Sequence, residues 1–166
     1  MMRKGAPPEG TTEAIALLSS MQSSLSEWFA MPPALEQYPV SCRVWRAQLY
    51  EVVRRARSAG LHAYSSLSLR IAEQLEPSFR SHDLPRWAVE LLWSWCQASL
   101  RYLQHTTEFR HAAELVDLLR TSPSPDCYGA EERACLLRYL IEDPGSDAQC
   151  SAQQAAAPRS CSAGTP

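Results

Sequence analysis

The chain has 166 residues, 45% of them hydrophobic, and its 16 basic and 18 acidic side chains leave a net charge of -2. That length suits one domain with an ordinary core and leaves no room for a second full one. The near-balanced charge offers no bulk attraction to nucleic acid or to an anionic membrane, and no apolar run approaches the roughly 18 residues of a membrane span.

Lys4 is the only lysine, so nearly all positive charge is arginine, a bias that fits GC-rich coding and a bacterial source. No signal-peptide pattern opens the chain, and the six cysteines include no C-x-x-C pair. All six are therefore expected as reduced thiols in a cytoplasmic protein. Cys96 and Cys135 fall among apolar helical positions and read as small core residues.

Residues 1–10 carry Gly, Pro and charge without periodicity and are expected to be disordered. The first helix should start after them, with Thr11 or Thr12 as cap. Ile15, Leu18, Met21, Leu25 and Trp28 then recur at spacings of three and four until Pro32 and Pro33 stop it. A second helix is expected over about 40–59, with Trp45, Leu49, Val52 and Ala56 as its apolar stripe and Gly60 as a left-handed C-cap. Its other face holds Arg43, Arg46, Glu51, Arg54, Arg55 and Arg57.

The third helix covers about 62–76, with Tyr64, Leu67, Ser68, Ile71 and Leu75 inward and Pro77 closing it. After a polar turn at 78–83, the longest helix runs over about 84–105, with Asp83 as cap and Pro85 in its first turn. Leu84, Ala88, Leu91, Leu92, Trp95, Cys96, Tyr102 and Leu103 give it an apolar face wide enough to meet several neighbours. Thr107 can cap a fifth helix to about residue 120, using Phe109, Ala112, Ala113, Val116 and Leu119. A proline-bearing loop at 122–129 precedes a short sixth helix over 130–142, with Ala134, Leu137, Leu140 and Ile141. From 144 to 166 the composition falls to Ser, Ala, Gln, Gly and Pro, too polar to offset ordering entropy of about 1–2 kcal/mol per residue. The domain plan is thus a disordered 1–10, an all-α helical domain over 11–143 and a disordered tail over 144–166.

Motif-bearing chemistry is absent. His62, His82, His105 and His111 have no zinc-ligand spacing, and there is no phosphate-binding glycine loop or nucleophile elbow. No metal, cofactor or catalytic residue is expected. On the long helix Trp87 and Trp95 lie within about 80° of each other while Trp93 points away, so either two are core residues and one is partly exposed, or the set marks an interface stripe. Arg54, Arg55 and Arg57 form a local basic patch, a solvated face or a surface for an acidic or phosphorylated partner.

The stretch 49–76, LYEVVRRARSAGLHAYSSLSLRIAEQLE, resembles the histidine-containing phosphotransfer domains of bacterial two-component and chemosensory systems. In that family a helix bearing H-x-x-K-G is followed, about ten residues past the histidine, by a glycine and a second amphipathic helix. Gly60-Leu61 and the segment through Leu75 look like that glycine and helix. Counting back from Gly60, however, the phosphoacceptor falls on Tyr50, the family lysine on Val53 and the glycine on Arg54. A phenol with an ordinary pKa near 10 is a poor substitute for an imidazole near 6.5.

The resemblance implies an up-and-down antiparallel four-helix bundle made of helices two to five, with helix one packed across one end and a further C-terminal helix. It also implies a non-catalytic signalling or scaffolding module. Tyr50, Glu51, Arg54 and Arg57 would contact the protein partner, a receiver domain or chemosensory kinase, with Tyr50 as the pseudo-phosphoacceptor. Two alternatives stay open: an unrelated helical adaptor or chaperone that binds a partner helix, and active phosphorelay through His62. Neither partner identity nor oligomeric state follows from the sequence.

Overall fold

The computed structural model describes residues 9–106, 108–120 and 128–142. Among these the protein is all-helical, with no strand: α1 Glu9–Ala30, α2 Tyr38–Ser58, α3 His62–Ser81, α4 Arg86–Gln104, α5 Phe109–Asp117 and α6 Ala130–Glu142. Short 3-10 turns at Leu35–Gln37 and Leu118–Arg120 precede α2 and follow α5. No described helix is long and apolar enough to cross a membrane.

Each long helix buries the stripe its periodicity dictates. Leu18, Met21 and Leu25 of α1, Trp45, Leu49, Val52 and Ala56 of α2, and Tyr64, Leu67, Ile71 and Leu75 of α3 are all sealed inside. So are Ala88, Leu91, Leu92, Trp95, Cys96, Tyr102 and Leu103 of α4. Burying a large aliphatic or aromatic side chain contributes roughly 1.5–3 kcal/mol, and these stripes meet in one continuous core.

Cross-helix bonds give the directions. Trp45 Nε1 donates to Ser24 Oγ at 3.1 Å and Arg55 reaches Glu13, so α1 and α2 run antiparallel. Ser65 Oγ donates to the Val53 carbonyl at 3.1 Å and Arg46 meets Glu76, which makes α2 and α3 antiparallel too. On α4, Trp95 Nε1 donates to Ser68 Oγ at 3.1 Å, and Tyr102 stacks on Tyr64 with ring centroids 5.6 Å apart. Met21 Sδ lies 3.2 Å from Cys96 Sγ, and Phe29 packs edge-on against Trp93. Hence α1 lies lengthwise along α2 and α4 rather than across one end, and the nine-residue α5 stacks outside on α4. The wide apolar face of α4 draws α1 in, because α1 has more apolar length to bury than α5.

Several boundaries differ from the sequence expectation. α1 already includes Glu9 and Gly10, which places Thr11 and Thr12 inside the helix rather than at its cap. Pro77 does not stop α3, which continues to Ser81 before His82 enters the left-handed region at φ 55°. Proline removes one backbone bond, here to the Glu73 carbonyl on an exposed stretch where water can replace it. Burial of Ser78 and Phe79 one step further on holds the last turn in place. Asp83 does not cap α4; Pro85, in extended conformation, occupies that position. Phe109 is 62% exposed and Leu115 is buried instead, while α6 buries Leu136 and Leu140 and exposes Ala134.

Gly60 has φ +80° as expected, closing α2 with its N–H on the Arg57 carbonyl. Cys42 and Cys96 are free and buried, but Cys135 is half-buried and disulfide-bonded, against the expectation of a reduced core thiol. Residues 1–8 of the expected disordered segment 1–10, the cap Thr107, most of the 122–129 loop and the 144–166 tail lie outside the described residues, as do Cys127, Cys150 and Cys161.

Candidate functional site

The expected partner-binding residues Tyr50, Glu51, Arg54 and Arg57 all lie on α2, which opens with Pro39 in its first turn and carries five arginines against one acid, Glu51. At about 100° per residue, Arg43, Tyr50, Arg54 and Arg57 fall within about 60° of one another on the side away from the buried stripe. Arg43, Arg54 and Arg57 are exposed, and Tyr50 is half-buried at the edge facing α3. The helix thus brings Tyr50, Arg54 and Arg57 onto one outer surface and adds Arg43 to them.

Glu51 is turned about 100° away, toward α1. It accepts bonds from Arg54 at 2.8 and 2.5 Å and from Arg55 at 2.7 Å, and Arg55 extends the chain of charges to Glu13. Those arginine hydrogen bonds hold its carboxyl down at about 2. Glu51 therefore orients the arginines instead of presenting a free acid. Arg57 makes no ion pair among the described residues.

Tyr50 sits in a different network. Its hydroxyl donates a long bond of 3.4 Å to Glu76 Oε2 on α3, and the Arg46 guanidinium stands over its ring at 5.4 Å. Glu76 in turn accepts Arg46 Nε and NH2 at 2.9 and 2.8 Å and Arg80 Nε at 2.9 Å. Burial raises the Tyr50 phenol above its ordinary value, and the Glu76 carboxylate beside it adds to the rise. Hydrogen bonds from Arg46 hold Glu76 at about 2, with Arg80 adding to the effect. Glu76, the carboxylate bonded to the phenol, is thus a very weak base, and the phenol stays protonated. Val53, at the family's lysine position, is half-buried with its carbonyl engaged by Ser65. Arg54 projects into solvent where the family has glycine.

His62 opens α3 and is half-buried. Fourteen residues separate it from Glu76, about 21 Å along the helix, so the histidine and Tyr50 belong to different regions. His111 Nε2 lies 3.0 Å from Glu108 Oε2 at the start of α5, beside His105. No group of three potential metal ligands occurs among the described residues.

The tryptophans on α4 separate, but one of them and not two is in the core. Trp95 is in the core, Trp93 is half-buried against Phe29, and Trp87 is the exposed one at 39%. They form no continuous stripe for a partner helix. The part of Glu76 and Arg80 was missed in the sequence. Their i, i+4 spacing was legible, but nothing local shows that Glu76 faces Tyr50 and Arg46 across two helices. Compared with known proteins, the chain matches no family model, no curated protein and no solved structure.

Proposed function

We propose that the chain is a non-catalytic signalling or scaffolding module that docks an acidic surface of a partner protein through the outer arginine face of α2. One observation carries this reading. The half-buried phenol of Tyr50 is tied to Glu76 and Arg46, while Arg43, Arg54 and Arg57 stand exposed around it. Arginine forks suit carboxylates and phosphates, and a charged rim about a packed aromatic gives orientation and speed of encounter.

The likeness to phosphotransfer domains makes a receiver domain or chemosensory kinase the partner class to try first. It is supported by Gly60 closing the α2–α3 hairpin ten residues after Tyr50, and by long antiparallel helices around that hairpin. On this reading Tyr50 occupies the acceptor position and receives no phosphoryl group.

The test is titration of the protein with a panel of receiver domains and histidine-kinase fragments, each with and without its phosphoryl group. Binding that weakens with salt and is lost in Arg54→Glu/Arg57→Glu, with helicity intact, is the expected result. Acid-labile label transferred to this chain and lost in His62→Gln would overturn it in favour of phosphorelay. Binding that survives the double arginine change would remove the α2 face as the docking surface.

A further inference from the structure

The end of the α1–α2 hairpin, on the opposite side of α2 from the arginine face, holds an open cleft of about 360 Å³. Ser24, Glu27, Trp28 and Met31 line it from α1 and its turn, and Ser41 and Trp45 from α2. The volume is at the lower end of ligand pockets, suited to a single long side chain. Trp28 and Trp45 meet at 68° with ring centroids 6.4 Å apart, so two electron-rich indoles wall one corner.

The one charged side chain lining the cleft is acidic. Glu27 is exposed and makes no ion pair among the described residues, and Glu36 follows in the 3-10 turn, equally exposed and unpaired. No basic side chain lines the cleft. The nearest arginines along α2 point elsewhere. Arg43 lies about 160° round the helix from Ser41, and Arg46 is held on Glu76 of α3. An unpaired carboxylate beside the half-buried Trp28 indole, with no cation lining the cleft, suits an incoming positive charge, which the acid and the Trp28 ring attract together.

The surroundings indicate what carries that charge. Of the large hydrophobic residues exposed among the described residues, Met31 lines the cleft and Leu35 follows it four positions on. Met31 and Leu35 are 80% and 77% exposed. Trp28 Nε1 is buried and finds no acceptor within the described residues. An exposed apolar side chain in the lining beside an unpaired acid describes a polypeptide better than a free small cation.

We infer that this cleft is a second recognition site, which takes an arginine or lysine side chain presented by an apolar segment of a partner protein. It is separate from the arginine face of α2, so the protein has two docking surfaces of opposite charge on opposite sides of one helix. A partner or pair of partners bridging both surfaces would be read by charge at each.

The test uses the full chain and three blocked peptides, identical except for a central arginine, citrulline or glutamate between leucines. Binding is followed by the Trp28 indole N–H resonance, assigned with Trp28→Phe, and by tryptophan fluorescence. Saturable movement of the Trp28 signal with the arginine peptide is expected, weakened about fivefold to thirtyfold by citrulline or by Glu27→Gln. Glu27 is exposed, so its amide variant should keep the fold, checked by helicity. Equal binding of the citrulline peptide, or no loss in Glu27→Gln, would overturn the proposal. Loss of binding in Arg54→Glu/Arg57→Glu with full binding in Glu27→Gln would overturn it as well, by moving the peptide to the other face. A dimer of the chain that dissociates on Leu35→Ser would assign the cleft to a second copy and also overturn it.

Discussion

Arg46 of α2 holds Glu76 of α3 by two parallel hydrogen bonds, Nε to Oε2 at 2.9 Å and NH2 to Oε1 at 2.8 Å. The carboxylate side chain is only 14% exposed, and Arg80 and Tyr50 share it. This makes one fork the electrostatic clasp between the two helices that carry the candidate site.

Removing that clasp has a defined pH signature. The Glu76 carboxyl falls from its ordinary 4.5 to about 2 in the folded protein, so its stabilisation is complete above about pH 4.5 and is lost as pH drops toward 2. Glu76→Gln should cost about 1 kcal/mol at pH 7, and roughly half of that or less at pH 3. Urea unfolding midpoints at both pH values check this. An equal cost at both would show that the loss is packing, not charge.

Two glycines should respond to alanine for different reasons. At Gly60 an added Cβ meets nothing within 4 Å, but φ is +80°, so Gly60→Ala should destabilise by about 1 kcal/mol through backbone strain alone. At Gly10 the backbone is helical, where alanine alone would gain about 1 kcal/mol. The added Cβ would, however, stand 2.8 Å from the Arg55 carbonyl oxygen and 3.1 Å from Ala59 Cβ. The contact is with backbone, which cannot swing aside, so Gly10→Ala should be destabilising by about 1–2 kcal/mol. Thermal melts of both variants decide the signs.

Ser68→Ala should unfold the protein more easily than its size suggests. Trp95 Nε1 donates to Ser68 Oγ in the core, and losing the acceptor leaves an indole N–H buried without a partner. The expected cost is about 1–3 kcal/mol. Trp95→Phe combined with Ser68→Ala should cost less than the sum of the single changes, and a double-mutant cycle measures the difference.

Tyr102→Phe should act locally. The Tyr102 hydroxyl donates to the Leu140 carbonyl at 2.9 Å and ties α6 to the long helix α4. Its loss, about 1 kcal/mol, should raise amide exchange in α6 while α1–α3 stay protected. Uniformly faster exchange would mean that α6 and the bundle open as one unit.

Much of the helical frame was legible because a helix is a local object. Leu49, Val52 and Ala56, or Leu67, Ile71 and Leu75, recur at the helical period and are buried as that period demands. Gly60 was readable because its position needs a positive φ. The failures have equally physical causes. Pro77 lies inside α3 because the burial of Phe79 beyond it offsets a lost backbone bond. Phe109 fits the stripe of α5 but sits at its first residue, where the core no longer reaches.

The sequence by itself determined the all-helical class, the long helices and their buried faces, and the arginine stripe of α2, since each depends on neighbours three or four residues apart. Only the tertiary structure decided that α1 lies along α2 and α4 in place of α5, and that Glu76 meets Tyr50 and Arg46. It alone decided too that Trp28 and Trp45 frame a cleft beside an unpaired Glu27. Those relations depend on the register of one helix against another. Register is set by how all the side chains of the core pack together, and no local spacing encodes it.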